Sequence, residues 1–216
     1  MIAAIFSDIH GNLPALETFA GCVRGKVDAY ICLGDVVNYG PWSNECLELI
    51  QDFPGLVLLE GNHERLFLGT EDLSHELPLV QEFFRHSFQG FKRLDLISGL
   101  PRSHRLDHFL CVHTIDEKKI YADTAIEPSE DYFIGHTHHQ FRIRRNGHEI
   151  INCGSVGQNR KHIDVINYAL FNTESGDVTL CAAPYPFDRL IEEMRSRGYP
   201  QSCLDYYLNK RSIAAR

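Results

Sequence analysis

The sequence predicts a single α/β domain, residues 1–216, with two β-sheets built on a β-α-β-α-β core. Three observations lead there. Short apolar runs alternate with helically spaced segments over the first sixty or so residues, which forces parallel strands and crossover helices. Two hairpin patterns follow in the second half, so a second set of strands must be antiparallel in part. The chain has 216 residues, 44% of them apolar and 23% charged, which is enough for one well-filled core.

Taken in order, Ile2–Phe6 reads as a strand, and Asn12 as the cap of a helix over 14–24, with Pro14 in its first turn and Leu16, Phe19, Ala20 and Val23 on one face. Residues 29–33 form a second strand, Ser43 caps a helix over 44–52, and 56–59 form a third strand. The first sheet should therefore be largely parallel. Residues 66–98 read as mostly helical, with Pro78 near a helix start, and Pro101 marks a turn. Strands resume at 107–112 and 132–134. Segments 140–145 and His148–Asn152 flank Asn146-Gly147, the pair a two-residue I′ turn requires. A second hairpin joins 168–172 to 178–182, and helices over 187–197 and 203–208 close the chain. No repeat, linker or low-complexity segment interrupts this order.

The formal charge of −8 and pI of 5.8 argue against a surface that coats nucleic acid. They leave an anionic ligand open, since exposed charges fade over about 8 Å and bound divalent ions dominate a pocket. No apolar run reaches the roughly 18 residues of a membrane span. The apolar Met1 to Phe6 meets Ser7-Asp8 at once, unlike a signal peptide. Seven cysteines without a Cys-x-x-Cys pair, several inside apolar runs, suit buried reduced thiols in a cytoplasmic protein. Oligomeric state has no sequence signal.

Five polar clusters carry the chemistry: Asp8-Ile9-His10-Gly11-Asn12, Gly34-Asp35, Gly61-Asn62-His63-Glu64, Val112-His113 and Gly135-His136-Thr137-His138. Each follows an apolar strand, where open α/β sheets bind ligands. A strand that breaks into a loop lets Asp8 and His10 converge, and glycines 11, 34, 61 and 135 suit sharp turns close to ligands. Carboxylate and imidazole without thiolate select hard or borderline ions: Mn²⁺ first, Fe or Zn²⁺ as alternatives. Two ions about 3.5–4 Å apart would need a shared carboxylate.

In order and spacing, these blocks resemble the calcineurin-like metallophosphoesterase superfamily: D-x-H, G-D, G-N-H-[DE], a lone His and G-H-x-H. Asn152-Cys153-Gly154-Ser155-Val156-Gly157-Gln158 and the tail around Gly198-Tyr199-Pro200 are similar to its small prokaryotic phosphodiesterase branch, so the resemblance spans nearly the whole chain. The branch usually has a small residue at Thr114 and Pro at Cys153, departures that bear on the pocket rather than on a ligand. The resemblance implies two mostly mixed sheets packed as a sandwich and flanked by helices. It implies a dinuclear metal-dependent hydrolase of a phosphodiester or phosphomonoester, with a metal-bridging hydroxide as nucleophile. By motif match, Asp8, His10 and His138 would bind one ion, Asn62, His113 and His136 the other, and Asp35 both. His63 would act on the substrate phosphate or leaving oxygen. The expected partner is a small phosphorylated substrate, a nucleotide among the candidates.

Other residues carry two readings. Asn12 is a helix cap or a substrate contact, and Arg160 a phosphate contact or a surface cation. Tyr39-Gly40-Pro41-Trp42 offers a stacking aromatic or simple loop packing, and Arg142, Arg144 and Arg145 a polyphosphate contact or a charged sheet edge. Glu64 suits an indirect role behind the ligands, and His139 should point away from His138. Two further functions compete with phosphoester hydrolysis: a non-catalytic metal-binding scaffold for protein partners, against which the intact His63 counts, and hydrolysis of a carbon–nitrogen bond.

Overall fold

The structure is a computed structural model and describes residues 1–213; the last residues of the single-domain reading, 214–216, lie outside that span. In chain order it runs β1 (Ile2–Phe6), α1 (Leu13–Val23), β2 (Ala29–Cys32), α2 (Ser43–Gln51), β3 (Leu56–Leu58) and α3 (Asn62–Leu68). A 3-10 turn (Leu73–His75) leads to α4 (Pro78–Ser87) and α5 (Leu94–Ile97). Then come β4 (Ser103–Leu106), β5 (Phe109–Val112), β6 (Asp131–Ile134), β7 (Phe141–Arg145) and β8 (His148–Asn152). The described chain closes with β9 (Val165–Asn172), β10 (Asp177–Pro184), α6 (Asp188–Ser196) and α7 (Gln201–Leu208).

The strands form two mixed five-stranded sheets, ordered β10-β9-β1-β2-β3 and β4-β5-β6-β8-β7. The β-α-β-α-β core is parallel as expected, with Ala3 opposite Ala29 and Tyr30 opposite Leu56. The first sheet as a whole is not largely parallel, because the β9–β10 hairpin adds two antiparallel pairings beside β1. In the second sheet β5, β6 and β8 are parallel.

Alternation along the strands builds the layers. In β1, Ala4 and Phe6 face the helices while Ala3 and Ile5 face the second sheet; in β2, Tyr30 and Cys32 face out and Ile31 faces in. The inter-sheet layer also takes Phe109, Phe133 and Phe171, all essentially inaccessible. Burying each such ring stabilises the fold by roughly 1.5–3 kcal/mol.

Local chemistry explains where elements stop. Asn12 caps α1 by accepting from Ala15 N at 3.3 Å. Ser43 is the first residue of α2 rather than its cap; its hydroxyl accepts from Asn38 N at 3.2 Å instead. The helical stretch expected over 66–98 breaks at Gly69 and Gly90, both at positive φ, and at Pro78. The strand expected over 107–112 starts two residues later, as β5, and is the second arm of a hairpin. β4 and β5 turn at Asp107-His108, and β4 was hidden because Ser103, His104 and Arg105 carry no apolar alternation. Asn146 and Gly147 both have positive φ, as the I′ turn demands.

Candidate metal centre

The loops after β1, β2, β3, β5 and β6 meet at one end of the two sheets. An extended chain sends residues i and i+2 to the same face only while it stays regular, and here it breaks. Asp8 (φ 56), His10 (φ 49), Asp35 (φ 57), His136 (φ 66) and His138 (φ 60) are all left-handed. Such backbone costs about 1–3 kcal/mol per non-glycine residue and concentrates at functional sites. Tertiary hydrogen bonds hold it: Asp8 N to Gly34 O and His10 N to Asp35 O, each at 3.0 Å, and His136 N to Asp8 Oδ2 at 3.1 Å.

The result is two groups of donor atoms. Asp8, His10, Asp35 and His138 form one, and Asp35, His113 and His136 the other, each with its ligand atoms within 4.8 Å of one another. Asp35 belongs to both. Asn62 joins the second group, with Oδ1 at 3.0 Å from His113 Nε2 and from His136 Nδ1. Each carboxylate is anchored through one oxygen and presents the other. Asp35 Oδ1 accepts from His63 N at 2.9 Å while Oδ2 faces His113 Nε2 at 3.2 Å. Asp8 Oδ2 accepts from His136 N, and its Oδ1 is buried without a hydrogen-bond partner among the described residues. Two glycines make room: a Cβ on Gly61 would lie 2.2 Å from Asp35 Oδ1, and one on Gly135 2.7 Å from Asp8 Oδ2.

This donor set fits divalent cations. His10, His113 and His138 each give Nδ1–H to a backbone carbonyl, of Val37 (3.1 Å), Leu33 (3.0 Å) and Gln158 (3.0 Å). Their Nε2 atoms therefore point inward. Those of His10 and His138 face each other at 3.1 Å. Burial, reinforced for His10 by the His138 ring and for His138 by Arg160, pushes both pKa values well down, so neither ring supplies a bridging proton. Lone pairs packed against an unpartnered buried carboxylate oxygen are unfavourable without a cation. Burial and then His113 push His136 down to about 4. Burial opposes charging of His113 as well, but the adjoining Asp35 carboxylate outweighs it and lifts His113 to about 9.

Two supports lie behind the donors. The Glu64 carboxylate takes the N–H groups of Asp35, Val36 and Gly61 at 2.8 Å, and of Val37 at 3.3 Å. It thereby ties the loop after β2 to the start of α3, the indirect role expected of it. Asn38 was not singled out in the sequence. Its Oδ1 accepts from Tyr39 N at 2.7 Å and Ser87 Oγ at 2.8 Å, which leaves Nδ2–H to donate to His63 Nδ1 at 2.8 Å. His63 consequently carries its proton on Nε2, 3.9 Å from Asp35 Oδ2, on the wall of a cleft of about 450 Å³ over the centre.

The profile of the calcineurin-like phosphoesterases matches residues 1–170. The chain belongs to that family. An uncharacterized protein of Methanocaldococcus jannaschii is 27% identical, with 92% of this chain and 93% of that one covered. A metallophosphoesterase from Sphaerobacter thermophilus superposes with a TM-score of 0.79 at 26% identity, over 96% of this chain and 99% of its own. A hypothetical protein from Pyrococcus horikoshii OT3 also reaches 0.79, at 13% identity over 95% and 97%, and shows the shared fold. With its buried Asp/His cluster, this calcineurin-like phosphoesterase has the makings of a metal-dependent enzyme.

The remaining predicted residues divide. Arg160 lines the cleft. Asn12 does not serve substrate: it is fully buried, caps α1, and spends Nδ2 on Gly157 O (2.8 Å) and Tyr185 OH (2.9 Å). Trp42 packs in the core of the helical face, and of that segment's aromatics Tyr39 reaches the cleft, 5.2 Å from the His63 ring. Arg142 pairs with Glu149 on the edge strand β7, so the charged-edge reading holds for it. All seven cysteines are free, and no helix among the described residues is long and apolar enough to cross a membrane.

Proposed function

We propose that this protein hydrolyses a phosphodiester or phosphomonoester of a small molecule, a nucleotide among the candidates, in the cytoplasm and with two divalent metal ions. Mn²⁺ is favoured, with Fe or Zn²⁺ as alternatives, since every donor is oxygen or imidazole nitrogen. The observation that carries the reading is that Asp35 belongs to both donor groups. In this reading Asp8, His10 and His138 hold one ion, Asn62, His113 and His136 the other, and Asp35 both. Such a pair of ions, when bound, lowers the pKa of water and neutralises phosphate oxygens. The chain's own contribution is orientation. The carbonyls of Val37, Leu33 and Gln158 fix the imidazole tautomers, and backbone N–H groups fix the two carboxylates. His63 offers Nε2–H to a phosphoryl or leaving-group oxygen, where charge develops as the P–O bond breaks. Arg160, which lines the same cleft, supplies a further contact to the phosphate.

Purified protein supplied with Mn²⁺ should hydrolyse a chromogenic aryl phosphoester. Asp35→Asn and His63→Ala should each lower kcat/KM by on the order of a hundredfold or more. Turnover that survives both substitutions and exhaustive chelation sinks the proposal.

A further inference from the structure

Beyond the donor atoms, the wall of the cleft becomes cationic. Arg160 lines the cleft together with Asp35, His63 and His138, and it also lines a neighbouring hollow of about 530 Å³ walled by Lys161, Lys210 and Arg211. Tyr206 joins the two openings: its hydroxyl accepts from Arg160 Nη1, and Lys210 Nζ sits 4.4 Å from its ring centroid. The framework is ordered. Arg211 N donates to Lys161 O at 3.1 Å, Ile163 N to Arg211 O at 2.8 Å, and Asn159 Oδ1 accepts from Lys161 N (2.9 Å) and His162 N (3.0 Å).

These four cations share one hollow without a counter-charge among them. Arg65, Arg105, Arg142 and Arg189 each hold a glutamate. Arg160, Lys161, Lys210 and Arg211 have no carboxylate within 4.0 Å among the described residues. Burial, and then the Arg160 charge, push the Lys210 amine down to about 7. Aromatic faces return only about 0.5–2 kcal/mol to a cation. An incoming anion would relieve the crowding and gain charge-assisted hydrogen bonds. The protein carries a net charge of −8, so this rim runs against its overall sign.

We propose that the rim of Arg160, Lys161, Lys210 and Arg211 is a subsite for a second phosphate, and that the preferred substrate is a polyphosphate ester with one phosphorus at the metal centre and a further phosphate on the rim. This rests on the phosphoesterase reading of the centre. A compact polyanion suits the rim better than a nucleic-acid strand, which spreads its binding over about 6–10 phosphate contacts.

The test uses the full chain freed of metal, so that no ion competes for the probe, and calorimetric titration with inorganic tripolyphosphate and orthophosphate. Tripolyphosphate should bind at least about tenfold more tightly than orthophosphate. Lys210→Gln/Arg211→Gln should weaken tripolyphosphate by about tenfold or more, and Lys161→Gln, at an exposed position, by about threefold. Arg24→Gln/Lys26→Gln makes the same charge change at the end of α1 and should stay within about twofold of the parent. Equal affinities for rim and control variants, or no preference for tripolyphosphate, overturn the inference even if the aryl ester is hydrolysed with Mn²⁺. Rim-dependent binding without any ester hydrolysis leaves the anion subsite standing and removes the enzyme reading instead.

Discussion

Asn38 donates to His63 Nδ1, and its own carbonyl oxygen is occupied by Tyr39 N–H and the Ser87 hydroxyl. An amide in that position allows only one neutral tautomer of His63, with the proton on Nε2 facing the cleft. A carboxylate there would invite the opposite tautomer or a charged ring. Asn38 sits at φ 73, where glycine is at ease, so Asn38→Gly removes the donor without adding backbone strain. One neutral hydrogen bond is worth about 1 kcal/mol, so kcat should fall by about fivefold. KM and bound-metal content should hold steady, as steady-state kinetics and metal analysis of the purified variant would show. A parallel loss of metal would mean that Asn38 acts through the fold rather than through His63.

At the scale of elements, the junction of α3 with the loop after β2 bears the most constraint. Gly61 caps α3, Glu64 in its first turn gathers amides from both segments, and His63 N holds Asp35 Oδ1. The Cβ of an alanine at 61 would meet not only that carboxylate oxygen but also Asp35 N, at 2.5 Å. Gly61→Ala should therefore displace Asp35 and cut kcat/KM by about a hundredfold, a misplacement effect far larger than its modest lowering of Tm. Parallel activity and melting measurements check this. The motif Gly-Asn-His-Glu was legible as a ligand-bearing turn, but its helix was not, because a seven-residue helix offers too short a period to read. β4 was missed for a different reason: Ser103, His104 and Arg105 show no apolar alternation, and pairing with β5 is what makes them a strand.

For the molecule as a whole, the two sheets pack through Phe109, Phe133 and Phe171 and bring their parallel strand ends to one edge, where buried carboxylates and imidazoles crowd together. Metal that binds the folded chain alone stabilises it by about 4 kcal/mol at a thousandfold excess over Kd. For a domain of this size that raises Tm by roughly 8–16 °C. Scanning calorimetry of chelator-treated and Mn²⁺-loaded protein should show an upward shift of that order, and Asp35→Asn should remove most of it. Equal Tm values with and without metal would mean the donor atoms do not act together.

By itself the sequence determined the β-α-β-α-β order, the I′ hairpin and the five strand-terminal clusters, because these depend on neighbours within a few residues and on the periods of helix and strand. It did not determine that Asn12 is spent inside the fold, that Asn38 orients His63, or that Arg160 and Lys210 stand together without a counter-charge. Each of those pairings joins residues far apart along the chain, and only packing of the two sheets and their loops settles which polar groups meet and which are left for a ligand.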